Sequence, residues 1–318
     1  MDTTQAFLLL GGGFLLLIAG AETLVRGASK IGLRMGMRPL TIGATIVAFG
    51  TSAPEFLVSI VAGLRDEPGI AIGNLVGSNI ANIGLVLGLA AIVRPIPIDR
   101  AVLRLELPIA ILATAVIPII AWDSTISRTE GTWLLIGFAV FLTLYVLRAT
   151  RSRGGTSDAS PELTDSIGSN ALLVGVGLGM LIGGSHLVVD GATAVATEFG
   201  LSKAAVGATI VAIGTSLPEV ATTLVAALRG HHGIAIGNIL GSNVFNLLFV
   251  LGPAAIINAD GLAVGPLPRD RLIWLMLAMT VLLLPVMRFG KKISRWEGMA
   301  MLAAYGIFLL LTQQVART

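Results

Sequence analysis

The sequence predicts an all-α polytopic membrane protein, with ten transmembrane helices arranged as two inverted five-helix repeats. Three observations predict this fold. The 318-residue chain has a mean hydropathy of +0.90 and only 12% charged residues, about half the charge of a typical soluble domain. Its charges separate ten apolar runs that are long enough to cross a bilayer. One long stretch of sequence also occurs twice.

Each apolar run is predicted to be a helix, because lipid offers the backbone no hydrogen-bonding partner. The runs are, in order, 6–28, 40–64, 69–93, 102–122, 131–148, 168–193, 204–228, 233–257, 269–287 and 296–314. The polar segment 149–167 is rich in Ser, Gly and mixed charge, which favours a flexible cytoplasmic linker. It divides the chain into a first repeat, residues 1–148, and a second repeat, residues 168–318.

The duplicated stretch predicts how the two halves are related. Residues 43–88 align with residues 207–252 without a gap at an offset of 164, and 28 of the 46 positions are identical. Five predicted crossings separate the two copies, and an odd number of crossings turns the second copy upside down in the membrane. Two inverted halves of this kind are typical of secondary transporters.

The basic residues predict the orientation of the chain. Loops expected on one side hold 15 Lys and Arg residues, and the opposite side with the C-terminal tail holds 6. By the positive-inside rule the first set is cytoplasmic, so both termini are expected outside a cell inner (plasma) membrane. The sequence pI of 9.7 therefore reflects topology and not nucleic-acid binding. The absence of cysteine excludes disulfides and thiolate metal sites.

Each copy of the repeat buries a carboxylate behind a proline, in "GTSAPE" at 50–55 and "GTSLPE" at 214–219. A charge at this depth costs a few kcal/mol. No Lys, Arg or His lies within ten residues N-terminal to Glu55 or Glu219, so we expect a cation from solution, or a proton, to neutralise them. Pro54 and Pro218 lack an N–H and are predicted to break the helix and free backbone carbonyls.

Hydroxyl and amide side chains lie close to these carboxylates in sequence. The first copy offers Thr51, Ser52, Ser78 and Asn82, and the second offers Thr215, Ser216, Ser242 and Asn246. Oxygen ligands suit hard cations such as Ca2+ and Na+, and two carboxylates balance one Ca2+. A lone Ser or Thr in such a helix commonly bonds only its own backbone. Asn74, Asn79, Asn238 and Asn243 are interpreted as caps of broken helix segments, and a direct ligand role for them stays open as the less favoured alternative.

At these residues the chain resembles the cation/calcium exchanger superfamily, specifically its sodium/calcium exchanger branch. The resemblance spans essentially the whole chain and rests on "GTSAPE…GSNIAN" and "GTSLPE…GSNVFN". It implies a central site where Na+ and Ca2+ compete, exposed alternately to either side as the first and sixth helices slide against a rigid core. By motif position it also implies the ion ligands Thr51, Ser52, Glu55, Ser78, Asn82, Thr215, Ser216, Glu219, Ser242 and Asn246, with the carbonyls of Ala48 and Ala212.

One position departs from the family pattern. Asn246 stands where several prokaryotic and potassium-dependent members have Asp, which leaves two carboxylates and argues against potassium co-transport. A stoichiometry of three Na+ for one Ca2+ follows by analogy. We expect a functional monomer without a cofactor.

Other functions remain open on the sequence alone. They are H+/Ca2+ or other divalent cation exchange, and a passive cation channel. An intramembrane enzyme is disfavoured, because His186, His231 and His232 all lie away from the repeated motif and the site lacks a base.

Overall fold

A computed structural model describes residues 3–151, 166–198, 214–258 and 260–315. These residues are almost entirely helical. Counting successive α- and π-helical turns as one helix, the described helices are α1 Thr3–Arg34, α2 Pro39–Thr51, α3 Ala53–Leu64, α4 Pro68–Val93, α5 Val102–Ile120, α6 Arg128–Arg151, α7 Ile167–Glu198, α8 Leu217–Leu228, α9 His232–Ile257, α10 Pro268–Gly290 and α11 Arg295–Val315.

The described helices confirm a helical membrane protein. By length and composition six of them could cross a membrane, or seven when the bent pair of α2 and α3 is counted as one span. A helix is present at every predicted apolar run, and in the run 204–228 it is described from Leu217 onwards. The count of ten spans stays a prediction.

The helix boundaries repeat along the chain. α3 begins at residue 53 and α8 at residue 217, an offset of 164, and both contain 12 residues. α4 begins at residue 68 and α9 at residue 232, again an offset of 164. The duplication seen in the motifs therefore extends to whole helices.

Two short antiparallel strand pairs join the halves. The strands are β1 Ile96–Pro97, β2 Thr125–Ile126, β3 Leu262–Ala263 and β4 Lys292–Ile293. β1 pairs with β4 and β2 pairs with β3. Each pair therefore links a loop of the first half to a loop of the second half.

α1 and α7 pack closely against each other through glycines. A Cβ added to Gly20 would lie 2.9 Å from the carbonyl oxygen of Gly177, and one added to Gly184 would lie 2.9 Å from that of Gly13. Small residues let membrane helices approach in this way. Because Gly13 lies opposite Gly184 and Gly20 lies opposite Gly177, the two helices run antiparallel.

Close packing also sets α9 against α2. A Cβ at Gly241 would lie 2.6 Å from Ala44 Cα, and one at Gly237 would meet the carbonyl oxygen of Leu40. Gly237 and Gly241 are four residues apart on α9, which lets α2 approach this closely. This contact places α9, which carries "GSNVFN" of the second half, beside α2, which leads into "GTSAPE" of the first half.

Candidate cation site

Each repeated carboxylate lies just after the start of a helix segment. α2 ends at Thr51, α3 begins at Ala53, and the two segments are bent by 44°. This confirms the break predicted from Pro54. In the second half, Ser216 precedes α8 with φ −87° and ψ 2°, close to the values of −81° and 4° at Ser52.

As a result each glutamate lies in the first turn of a helix, where the backbone dipole is positive. Glu55 is in the first turn of α3 and Glu219 is in that of α8. Their exposed fractions are 0% and 1%. The two carboxylates are close enough to repel each other electrostatically, so their burial together needs a compensating positive charge.

Hydroxyl groups from both halves surround the carboxylates. Ser78 Oγ donates to Glu55 Oε1 at 3.4 Å, and Thr215 approaches the same carboxylate from the other half. Thr51 and Ser52 approach Glu219 in the same crossed manner. Thr51 Oγ1 also lies 3.4 Å from Ser242 Oγ. The structure therefore brings these predicted ligands of the two halves together.

The predicted amide ligands lie at π-helical turns in the middle of α4 and α9. Asn82 begins the turn Asn82–Leu87, and Asn246 is the second residue of the turn Phe245–Val250. A π-helical turn displaces the backbone locally, and such turns are frequent at functional sites. The two turns occupy nearly equivalent positions in the repeat.

Seven buried side-chain oxygens of this site have no hydrogen-bond partner among the described residues. They are Ser52 Oγ, Glu55 Oε2, Asn82 Oδ1, Ser216 Oγ, both carboxylate oxygens of Glu219, and Asn246 Oδ1. Leaving a buried acceptor unpaired costs about 1–3 kcal/mol, and more for a charged group. Within the described part of the chain no Lys, Arg or His side chain is buried. These oxygens therefore form a set of acceptors suited to a cation.

Of the two predicted carbonyl ligands, Ala48 and Ala212, only that of Ala48 lies among the described residues. The carbonyl oxygen of Ala48 accepts the Ser52 N–H at 3.0 Å and the Thr51 hydroxyl at 3.4 Å, so protein donors already contact it. Ala212 lies outside the described residues. The side chains of the site, rather than the Ala48 carbonyl, supply the oxygens without partners.

The described contacts of the four further asparagines are mainly to side chains of other helices. The residues that precede α3 and α8, Ser52 and Ser216, make no side-chain cap hydrogen bond. The asparagines bridge helices, with Asn74 Nδ2 donating to Ser59 Oγ at 3.0 Å and Asn238 Nδ2 donating to Thr223 Oγ1 at 3.0 Å.

Asn79 and Asn243 bond to the predicted ligand amides themselves, at 3.2 and 3.0 Å. Their repetition at an offset of 164 was the available signal for a role in the site.

A polytopic helical fold, helix breaks facing each other and a buried set of oxygens define a membrane transporter for cations. The model for the sodium/calcium exchanger protein family matches residues 5–147 and 169–313. The chain therefore belongs to the sodium/calcium exchanger family.

Relatives and solved structures agree with this assignment. "Putative antiporter CaxA" of Alkalimonas amylolytica is 40% identical over 301 residues, which cover 92% of this chain and 94% of the relative. "Sodium/calcium exchanger MaX1" of Methanosarcina acetivorans is 30% identical over 349 residues, covering 97% and 98%. A structure of the sodium-calcium exchanger NCX_Mj, soaked with zero Na+ and Ca2+, superposes with a TM-score of 0.81 at 32% identity and covers 96% of this chain and 98% of that one.

Proposed function

We propose that this protein is a secondary active antiporter that exchanges Na+ for Ca2+ by alternating access around the central oxygen site. One observation carries the proposal: seven buried oxygens lack partners, three of them belong to the two carboxylates, and no buried basic residue of the described chain neutralises these carboxylates. One Ca2+ balances both carboxylates, and several Na+ ions compete for the same oxygens. Three Na+ for one Ca2+ is the proposed stoichiometry, by analogy with the family.

The proposed ligands are those implied by the motifs. The carboxylates of Glu55 and Glu219 bind Ca2+ and Na+ in turn. The hydroxyls and amides that complete the site are those of Thr51, Ser52, Ser78, Asn82, Thr215, Ser216, Ser242 and Asn246, with the carbonyls of Ala48 and Ala212. The crossed contacts of Glu55 and Glu219 with hydroxyls of the opposite half support this assignment.

The proposed architecture is ten membrane helices in two inverted five-helix repeats, residues 1–148 and 168–318, joined by a cytoplasmic linker at 149–167. The antiparallel packing of the equivalent helices α1 and α7 supports inversion, because two long apolar helices side by side in opposite directions enter the membrane from opposite faces. We further propose that the protein is a monomer in the inner membrane. The distribution of basic residues supports the placement of both termini outside.

Transport into vesicles tests the function. Proteoliposomes loaded with Na+ are diluted into Na+-free buffer that contains 45Ca2+, and vesicles loaded with K+ serve as the control. We expect Ca2+ uptake only with internal Na+, and competition by external Na+. Absence of uptake under the outward Na+ gradient would contradict the proposal.

A second candidate is exchange of Ca2+ or another divalent cation for H+. The observation in its favour is that two buried, mutually repelling carboxylates are also suitable proton carriers. In the same vesicles this function would give Ca2+ uptake driven by a pH gradient and indifferent to Na+. A passive channel would instead give Ca2+ flux without any opposing gradient.

A further inference from the structure

Four buried asparagines form two hydrogen-bonded pairs that cross between α4 and α9. Asn82 Nδ2 donates to Asn243 Oδ1 at 3.0 Å, and Asn246 Nδ2 donates to Asn79 Oδ1 at 3.2 Å. All four side chains are at most 1% exposed. Asn82 and Asn246 are equivalent in the repeat, as are Asn79 and Asn243, so each half makes the same contact to the other.

These bonds fix which end of each ligand amide takes part in the pair and which end has no partner. An asparagine side chain has donors at its nitrogen and acceptors at its oxygen. Asn82 and Asn246 use their nitrogens in the crossed pairs, and their Oδ1 atoms are buried without partners. The amide planes are thereby held with the carbonyl oxygens directed away from the pairs.

Asn79 and Asn243 differ from their partners, since both ends of their amides are in use. Asn79 Oδ1 accepts from Asn246, and its Nδ2 lies 3.6 Å from Met276 Sδ. Asn243 Oδ1 accepts from Asn82, and its Nδ2 donates to the carbonyl oxygen of Asn79 at 3.4 Å. The side-chain oxygens of these two residues already accept hydrogen bonds from the ligand amides of the opposite half.

We propose that Asn79 and Asn243 are positioning residues, each of which orients the ligand amide of the opposite half so that its oxygen faces the transported cation. This inference rests on the proposed function. Partners of metal ligands commonly change metal affinity 10- to 100-fold when they are removed. An orienting contact across the halves also means that neither half can form its own ligand set alone.

A purely structural tie between α4 and α9 is the competing explanation, because hydrogen bonds between membrane helices contribute to stability. The two explanations differ in how substitutions combine. If Asn243 acts through Asn82, its removal affects ion affinity only while Asn82 is present. If it only holds the helices together, its effect is independent of Asn82.

A double-mutant cycle separates them. The apparent Ca2+ affinity of purified full-length protein is measured from the Ca2+ dependence of its thermal unfolding temperature, for wild type, Asn82→Ala, Asn243→Ala and the double variant. We expect Asn243→Ala to raise the half-saturating Ca2+ concentration about tenfold, and to have less than about a twofold effect once Asn82 is alanine.

Asn74→Ala is the matched control, because Asn74 lies on the same helix as Asn82 but bonds Ser59 and the Glu55 backbone instead of a ligand amide. Its effect should add to that of Asn82→Ala. Additive effects of Asn243→Ala and Asn82→Ala would overturn the inference.

A second variant tests the inference even if the Asn243→Ala protein does not fold. Asn243→Asp keeps an acceptor for Asn82 Nδ2 and loses the donor to the Asn79 carbonyl, so we expect the affinity to return at least to the wild-type value. A variant as weak as Asn243→Ala would contradict the inference. The proposed function would instead be refuted if wild-type vesicles showed no Na+-driven Ca2+ uptake. The two failures are distinguishable, because the inference is tested by the Ca2+ affinity of variants and the function by transport with the wild-type protein.

Discussion

The two halves of the molecule are nearly interchangeable at the candidate site and different around it. The residues "GTS-PE" and "GSN--N" recur at an offset of 164, and the crossed asparagine pairs make equivalent contacts. Outside them the halves diverge: Phe245 and Phe249 pack with Phe49 and Phe138 in an aromatic cluster, while Ala81 and Leu85 stand at the equivalent positions of the first half.

This difference teaches where the constraint on the sequence lies. A site built across a pseudo-twofold axis requires the same chemistry from each copy. In the proposed inverted arrangement, the surrounding surfaces of the two copies face opposite sides of the membrane and different neighbours, so their sequences are free to differ. Substitutions at equivalent positions should therefore have equal effects in the site and unequal effects at the periphery.

The largest expected effect tests the equality of the carboxylates. Glu55→Gln and Glu219→Gln each remove one of the two charges proposed to balance Ca2+, while the side chain keeps its size. Breaking a buried charge interaction typically costs about 3–5 kcal/mol, so Na+-driven 45Ca2+ uptake should fall at least about 100-fold in both variants. A large difference in uptake between the two variants would show that the two carboxylates are not equivalent.

A matched control is Glu106→Gln, because Glu106 is also a buried carboxylate, 5% exposed, but lies on α5 outside both motifs. We expect this variant to transport at a rate close to that of wild type. Loss of uptake equal to that of Glu55→Gln would mean that the assay reports the loss of any buried carboxylate and not of an ion ligand.

Much of the site could be predicted from the sequence because its signals are local. Pro54 and Pro218 predict the helix breaks, and the recurring Glu, Ser, Thr and Asn residues predict the ligands. The crossed asparagine pairs could not be predicted, since they depend on the register of α4 against α9. The π-helical turn at Asn82 likewise has no local signature, because it arises from a shift in backbone hydrogen bonding that tertiary packing selects.

The α1–α7 interface gives a second, intermediate test of equality. Gly20→Leu and Gly184→Leu add bulk where a Cβ would already lie 2.9 Å from a backbone oxygen. Overpacking costs about 1–3 kcal/mol, so both variants should unfold at a lower temperature and by similar amounts. Gly12→Leu is the control, because nothing lies within 4 Å of a Cβ at Gly12 among the described residues. A large destabilisation by Gly12→Leu would contradict this account.

The smallest expected effect concerns a contact that only one face of the protein possesses. Glu22 on α1 forms an ion pair with Arg229, which follows α8, at 2.5 Å. The equivalent positions of the other half are His186 and Arg65, which cannot form such a pair because both are basic. The ion pair therefore stabilises α1 against the core only on the face that carries Arg229.

Glu22→Gln should shift the balance between the two access states of the proposed exchanger. The side chains of Arg229 and Glu22 are 60% and 35% exposed, so the pair contributes only about 0.2–1 kcal/mol, which corresponds to a population change of up to about fivefold. The measurement is the ratio of half-saturating Ca2+ concentrations on the two sides of oriented vesicles. The shift should shrink at high ionic strength, because salt screens exposed charges. His186→Gln at the equivalent position should leave the ratio unchanged, and an equal shift in that variant would show that the ion pair is not the source of the asymmetry.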